Sequence, residues 1–217
     1  MSIIEIIKKK LFNFADIGKN LDGFREFYSI EDAKIWGKKY YSKAPEENIY
    51  SEVEQYCGYL FNPINAVLRR EDLSWYEENA EERYQNRIQI IKPWLYSFKL
   101  PEDIIVYRAI SKKHLCKMKL WSKEKFGDSK NILYEYGFLS TSLVFVELKK
   151  LHPDSIYLKI YLLKGTTGAY VDLISKRSEE QEFLIPPGAR LYVLKKTREV
   201  YTCVLMQEWK ELNNCKK

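Results

Sequence analysis

Glu180 and Glu182 are the residues whose spacing most plainly asks for chemistry. They lie in Ser178-Glu179-Glu180-Gln181-Glu182-Phe183-Leu184-Ile185-Pro186-Pro187-Gly188, where a loop runs into an apolar strand. On an extended chain, side chains two apart point the same way, with Cβ atoms roughly 7 Å apart. Two like charges entering a sheet cost energy through desolvation and mutual repulsion. An exposed acidic loop would avoid that cost, but Phe183-Leu184-Ile185 ties the pair directly to core. A second segment, Tyr136-Gly137-Phe138-Leu139-Ser140-Thr141-Ser142, alternates so that Ser140 and Ser142 face one side and Thr141 the other. A third, Val106-Tyr107-Arg108-Ala109, sets an arginine at the end of an apolar strand. A guanidinium fork suits phosphate oxygens, and a prearranged carboxylate stabilises a developing cation. Each segment alone also has an ordinary reading: a strand-end salt bridge, a polar strand after a turn glycine, an acidic loop.

The elements that must hold these residues divide near residue 100. Before it the spacing predicts helices over about 1–12, 24–42, 46–60, 63–70 and 74–97. Ser29 with Asp32 marks one helix start, and Pro45-Glu46-Glu47 another. From Pro101 the runs become strand-like: Ile104 to Tyr107, Ser155 to Leu163, Ala169 to Leu173, Glu182 to Ile185, Arg190 to Leu194 and Val200 to Met206. A helix near 111–121 interrupts them. Helices first and strands afterwards predict an α+β fold, with N-terminal helices packed on a mostly antiparallel β core. No repeat or linker separates two domains, so residues 1–217 are expected to form one, helical to about 100 and β-rich over 101–217.

Composition narrows the function. The chain has 217 residues, of which 46% are apolar and 15% aromatic, too apolar for disorder. Its net charge of +6 comes from 36 basic and 30 acidic residues, a mixed surface that favours anionic ligands only mildly. The four cysteines are scattered and there are two histidines, with no Cys-x-x-Cys, so neither a metal site nor a disulfide framework is expected. The thiols are assigned to packing in a reducing compartment. Replacing Cys57 or Cys203 is therefore expected to spare chemistry. Met1 to Phe14 is no signal peptide, because Glu5 and Lys8 to Lys10 break its apolar run. No stretch is long enough to span a bilayer, and no Gly-x-Gly-x-x-Gly or Walker loop is present.

Taken in order, Arg108, then Ser140-Thr141-Ser142, then Glu180-Gln181-Glu182 resemble the R-S-E class of bacterial ADP-ribosylating exotoxins, the actin- and Rho-modifying mono-ADP-ribosyltransferases and binary-toxin enzymatic components. Ile64-Asn65-Ala66-Val67-Leu68-Arg69 is similar to that family's Ile-Asn-x-x-Leu-Arg helix. Ala33 to Lys38, Tyr56-Cys57-Gly58 and Gly165 to Val171 extend the likeness over about residues 25–207.

The resemblance implies NAD as co-substrate, cleaved at its nicotinamide–ribose bond. It makes Glu182 the residue beside the nicotinamide ribose, with Ser140 orienting it. Arg108 and Arg69 would hold phosphate oxygens, Asn65 would add polar contacts, and the Ala109 backbone would grip the nicotinamide amide. Ala109 stands where the family usually has glycine. Relatives carry a Phe and an Arg after Ser-Thr-Ser, and here Phe145 and Lys149 or Lys150 are the candidates. Glutamate at position 180 goes with arginine as acceptor in that family, so the expected partner is a protein modified on arginine, actin or a GTPase among the options. The loop from Leu173 to Glu179, with Lys176 and Arg177, would meet that target. A monomer, delivered by secretion into a target cell's cytosol, binding no nucleic acid and no metal, completes the expectation. Two other readings stand beside it. One is an NAD glycohydrolase in which water replaces the acceptor. The other is a basic interaction module using Lys8–Lys10, Lys38–Lys39 and Lys149–Lys150.

Overall fold

The computed structural model describes residues 21, 23–41, 45–128, 131–175 and 179–206. The helix expected over 1–12 lies outside them.

Helix α1 (Ile30–Tyr41) begins where the sequence places a start. The Ser29 hydroxyl accepts the Asp32 backbone N–H at 3.1 Å, with Glu31 and Asp32 in the first turn and Lys38 and Lys39 in the last. Residues 24–29, expected to be helical, are instead drawn into the sheet's margin. Arg25 and Phe27 form β-bridges with Ile104 and Val144. Tertiary pairing there overrides helical spacing.

Helix α2 (Glu47–Gln55) passes through a π-helical turn (Tyr56–Leu60) into α3 (Phe61–Arg69). Helix α4 (Ala80–Tyr96) packs Tyr84, Ile88, Ile91 and Leu95 inward at helical spacing. The strands follow: β1 (Ile104–Ile110), β2 (Ile132–Glu135), β3 (Leu139–Ser142), β4 (Ile156–Leu162), β5 (Ala169–Tyr170), β6 (Glu182–Ile185), β7 (Ala189–Lys196) and β8 (Val200–Met206). Helix α5 (Lys112–Phe126) joins β1 to β2, and a short α6 (Phe145–Leu151) joins β3 to β4. The strand order is β2-β7-β8-β4-β1-β3-β6-β5. Among these strands, β4 and β8 pair in parallel and the other pairs are antiparallel. This is the expected α+β arrangement, with a mostly antiparallel core.

The sheet has a seam. Strand β1 matches β4 through seven register pairs, Ile104↔Leu162 to Ile110↔Ile156. It meets β3 through Tyr107↔Ser142 alone. On one side of that seam lie β2-β7-β8-β4-β1, on the other β3-β6-β5. The two halves share a hydrophobic core with the helices, in which Trp36, Tyr56, Phe138, Tyr170 and Phe183 are fully buried. Gly37 is required there, because a Cβ on it would stand 2.1 Å from the Tyr170 ring. Among the described residues no helix is long and apolar enough to cross a membrane.

Candidate active site

The single pair between β1 and β3 leaves a cleft beside it of about 230 Å³, lined by Arg108, Ala109, Ser140, Glu180 and Glu182 together with Asn65. Antiparallel register explains why β3 and β6 cooperate. Ser142 lies opposite Glu182, so Glu182 shares a face with Ser142 and with Ser140 two residues on. Thr141 turns to the other face and donates to the Phe183 carbonyl at 2.6 Å. Ser142 is spent on the chain's own path: its hydroxyl accepts Val144 N–H at 3.2 Å, turning β3 into α6.

Glu182 is 5% exposed. Burial pushes its carboxyl up to about 7, the Glu180 charge adds to that, and hydrogen bonds from Ser140 and Cys57 pull it back. Ser140 and Cys57 thus both stand close enough to Glu182 to favour its charged form. Cys57 comes from the π-helical turn, where an inserted residue widens the helix toward the cleft. Its assignment to packing alone is corrected: it lines the cleft and touches Glu182. Cys203 is buried, as a packing thiol should be.

Arg108 reaches across the seam, donating from Nη1 to the Ser140 carbonyl at 2.7 Å. Its Nε is buried without a hydrogen-bond partner. Burial pulls its pKa down, and Glu135 and Glu182 work against that. The guanidinium nonetheless lines the cleft, and a cationic fork there fits a ligand that brings anionic oxygens. Asn65 is fixed on both ends of its amide: Oδ1 accepts Phe138 N–H at 2.8 Å and Nδ2 donates to the Tyr56 hydroxyl at 3.2 Å.

Arg69 does not join these residues. Its Nε and Nη2 clasp the Glu135 carboxylate at 2.8 and 3.0 Å, and it is absent from the cleft lining. Glu135 is completely buried. It also accepts Gly137 N–H at 2.8 Å and meets His114 Nε2 at 2.7 Å. Burial acts to raise its pKa, but His114, Arg69 and Arg108 outweigh it and hold the carboxyl at about 2. The close approach of α3 explains Gly137, where a Cβ would lie 2.6 Å from Asn65 Oδ1 and 3.2 Å from Arg69 Nε.

The segment after Ser142 also differs from expectation. Phe145 packs its ring on Tyr107 and Tyr157, with centroids at 4.8 and 5.2 Å, and is not a cleft residue. Lys149 and Lys150 are exposed, and Lys150 pairs with Glu147 at 2.8 Å. Leu148, Leu151 and His152 face the cleft instead. His152 ends α6, its N–H bonded to Leu148 O at 3.0 Å. Sequence reasoning passed over it, although His-Pro directly after a helical run marks a chain turn. Phe61 was missed too, four residues before Asn65 and so one helical turn away on α3. Lys176 and Arg177 lie outside the described residues.

An α+β scaffold whose sheet parts at one strand pair, with an arginine on one side and serine and glutamate on the other, is the ADP-ribosyltransferase fold. The chain belongs to the ADP-ribosyltransferase exoenzyme family, whose model matches residues 33–211. It is similar to mono-ADP-ribosyltransferase C3 of Clostridium botulinum C phage, 24% identical over 206 residues that cover 88% of this chain and 82% of the relative. It is also similar to the NAD(+)–arginine ADP-ribosyltransferase EFV of Enterococcus faecalis, 26% identical over 166 residues, 74% of this chain and 31% of that protein. Among solved structures, Plx2a, an ADP-ribosyltransferase toxin from Paenibacillus larvae, superposes with a TM-score of 0.67 at 26% identity, covering 84% of this chain and 99% of that one. The protein is a mono-ADP-ribosyltransferase that acts on NAD.

Proposed function

We propose that this enzyme transfers ADP-ribose from NAD to an arginine side chain of a target protein, using the cleft at the sheet seam. The observation that carries the arginine reading is the meeting of two carboxylates, Glu180 and Glu182, in one cleft with Arg108 and Ser140. The printed name of the Enterococcus faecalis relative, which specifies arginine, points the same way.

Cutting the nicotinamide–ribose bond sends its electron pair into the pyridine ring, which becomes neutral, and leaves an oxocarbenium-like ribose. Glu182, ionised and steered by Ser140 and Cys57, stabilises that cation without reorganising. Arg108, which lines the cleft, takes phosphate oxygens through its guanidinium. Asn65 adds a polar contact, and the Ala109 backbone meets the nicotinamide amide. Arg69, clasped by Glu135, braces α3 against the β2–β3 turn. A guanidinium is protonated in water and a poor nucleophile. Glu180 therefore orients it and draws off its proton as nitrogen bonds to the ribose carbon. Cys57, Cys116 and Cys203 are free thiols, which suits work in the reducing cytosol of a cell into which the enzyme is delivered.

The Glu180→Gln enzyme tests the acceptor reading. Transfer to the small guanidine agmatine is expected to fall about 100-fold, the scale of a lost general base, with NAD hydrolysis falling far less. Parallel losses in the two reactions would show that Glu180 has no special part in the acceptor step.

A further inference from the structure

Glu180 and Glu182 share the cleft for a reason other than strand alternation. The residue between them, Gln181, is in the left-handed region with φ of +50°. A glutamine adopts that region rarely, because its Cβ crowds the backbone. Its side chain is nonetheless completely buried and held at both ends. Tyr170 OH donates to Gln181 Oε1 at 2.7 Å, and Gln181 Nε2 donates to Asp172 Oδ2 at 3.1 Å. Tyr170 is itself pinned by the missing Cβ of Gly37 and by the edge of Trp36. Tyr170 OH also lies 3.3 Å from Asp172 Oδ2, so the three side chains form one cluster. Glu182 has independent support, because its strand pairs with β3 at Ser142. Glu180 stands before that strand begins, so its direction depends on the turn at Gln181.

Resting on the reading of Glu180 as the acceptor-side carboxylate, we propose that Gln181 is a positioning residue. Its buried tether to Tyr170 and Asp172 holds the left-handed turn that aims Glu180 into the cleft beside Glu182. The tether runs through the core, behind the face on which NAD and the acceptor would meet. It thus joins acceptor competence to α1 and to β5 without touching either substrate. The network offsets the cost of the backbone geometry, and each of its members is intelligible only through the others: a glutamine in a glycine-like conformation, an aspartate buried in an apolar layer, and a glycine under a tyrosine ring.

The test uses Gln181→Asn. Asparagine tolerates the left-handed region but is one methylene too short for both partners. Transfer to agmatine relative to NAD hydrolysis is expected to drop about 10- to 100-fold, the cost of a catalytic group displaced by roughly 1 Å. A wild-type ratio in Gln181→Asn would overturn the proposal, since turn preference alone would then suffice. An equal fall in both reactions would overturn it as well, because Glu182 would have been disturbed alike. Should Gln181→Asn fail to fold, Tyr170→Phe removes one hydrogen bond of the tether and is judged by the same ratio. If wild-type enzyme hydrolyses NAD but modifies no agmatine, the acceptor reading fails separately. The crystal structure of the variant then decides: Glu180 turned out of the cleft sustains the proposal, and both carboxylates still lining it refutes it.

Discussion

The Glu182→Gln enzyme is expected to lose about 100- to 1,000-fold in both transfer and NAD hydrolysis, the scale for removing a prearranged electrostatic group. It is also expected to be more stable than wild type. Glu182 is buried and its carboxyl is raised to about 7, above the 4.5 of an unperturbed glutamate. Between those values the folded protein binds a proton that the unfolded chain has released. Stability is therefore lost as pH rises from about 4.5 through 7, and above that window the folded state bears the full cost of the buried charge, about 3 kcal/mol. An uncharged amide of the same shape escapes it. Thermal melts at pH 8 should place the variant roughly 6–12 °C above wild type, with the gap closing near pH 5. Unchanged turnover would remove Glu182 from the chemistry, and a lower melting temperature at pH 8 would contradict the burial argument. In the wild-type enzyme the same ionisation predicts that NAD hydrolysis falls as pH drops below about 7.

The Glu135→Ala protein should show the largest loss of stability. Its carboxylate takes hydrogen bonds from two atoms of Arg69, from Gly137 N and from His114. Removing it strands a guanidinium whose side chain is 12% exposed. Breaking a buried ion pair in this way costs about 3–5 kcal/mol. In a protein of this size that lowers the melting temperature by roughly 6–20 °C. The pH dependence runs opposite to that of Glu182. Its carboxyl is depressed to about 2 in the fold, so its contribution is complete above about 4.5 and disappears as pH falls toward 2. Urea unfolding at pH 7 and pH 3 measures both effects. A Glu135→Ala unfolding free energy within about 1 kcal/mol of wild type would mean that water, not protein, satisfies Arg69.

How much of this was legible depended on how far each signal reaches along the chain. Strands β1, β4, β6 and β8 announce themselves as β-branched and aromatic runs, and their order after the helices defines the α+β class. Arg108, Ala109, Ser140, Glu180 and Glu182 lie in those runs or against them, and the fold brings them to one cleft. Strand β2 was not recognised, because Ile132–Glu135 is four residues long and runs directly into the aromatic turn at Tyr136. Helix α6 is absent from the elements the spacing predicts, since seven residues of mixed character give little periodicity. Arg69 looked like a phosphate ligand because its partner Glu135 lies 66 residues away. Nothing local in the sequence reveals that pairing. The two glutamates were placed together correctly but for the wrong physical reason, since alternation was assumed where Gln181 supplies a left-handed turn.

The seam has a consequence for how substrate and scaffold depend on each other. Along the line from Tyr107 to Ser142 the sheet is held by a single rung, and one side-chain bond from Arg108 to Ser140 spans the gap beside it. A molecule gripping Arg108 on one bank and Glu182 on the other would supply the crossties that the backbone omits. Its binding energy would be deposited where the protein is least stitched, so NAD would rivet the enzyme as well as feed it.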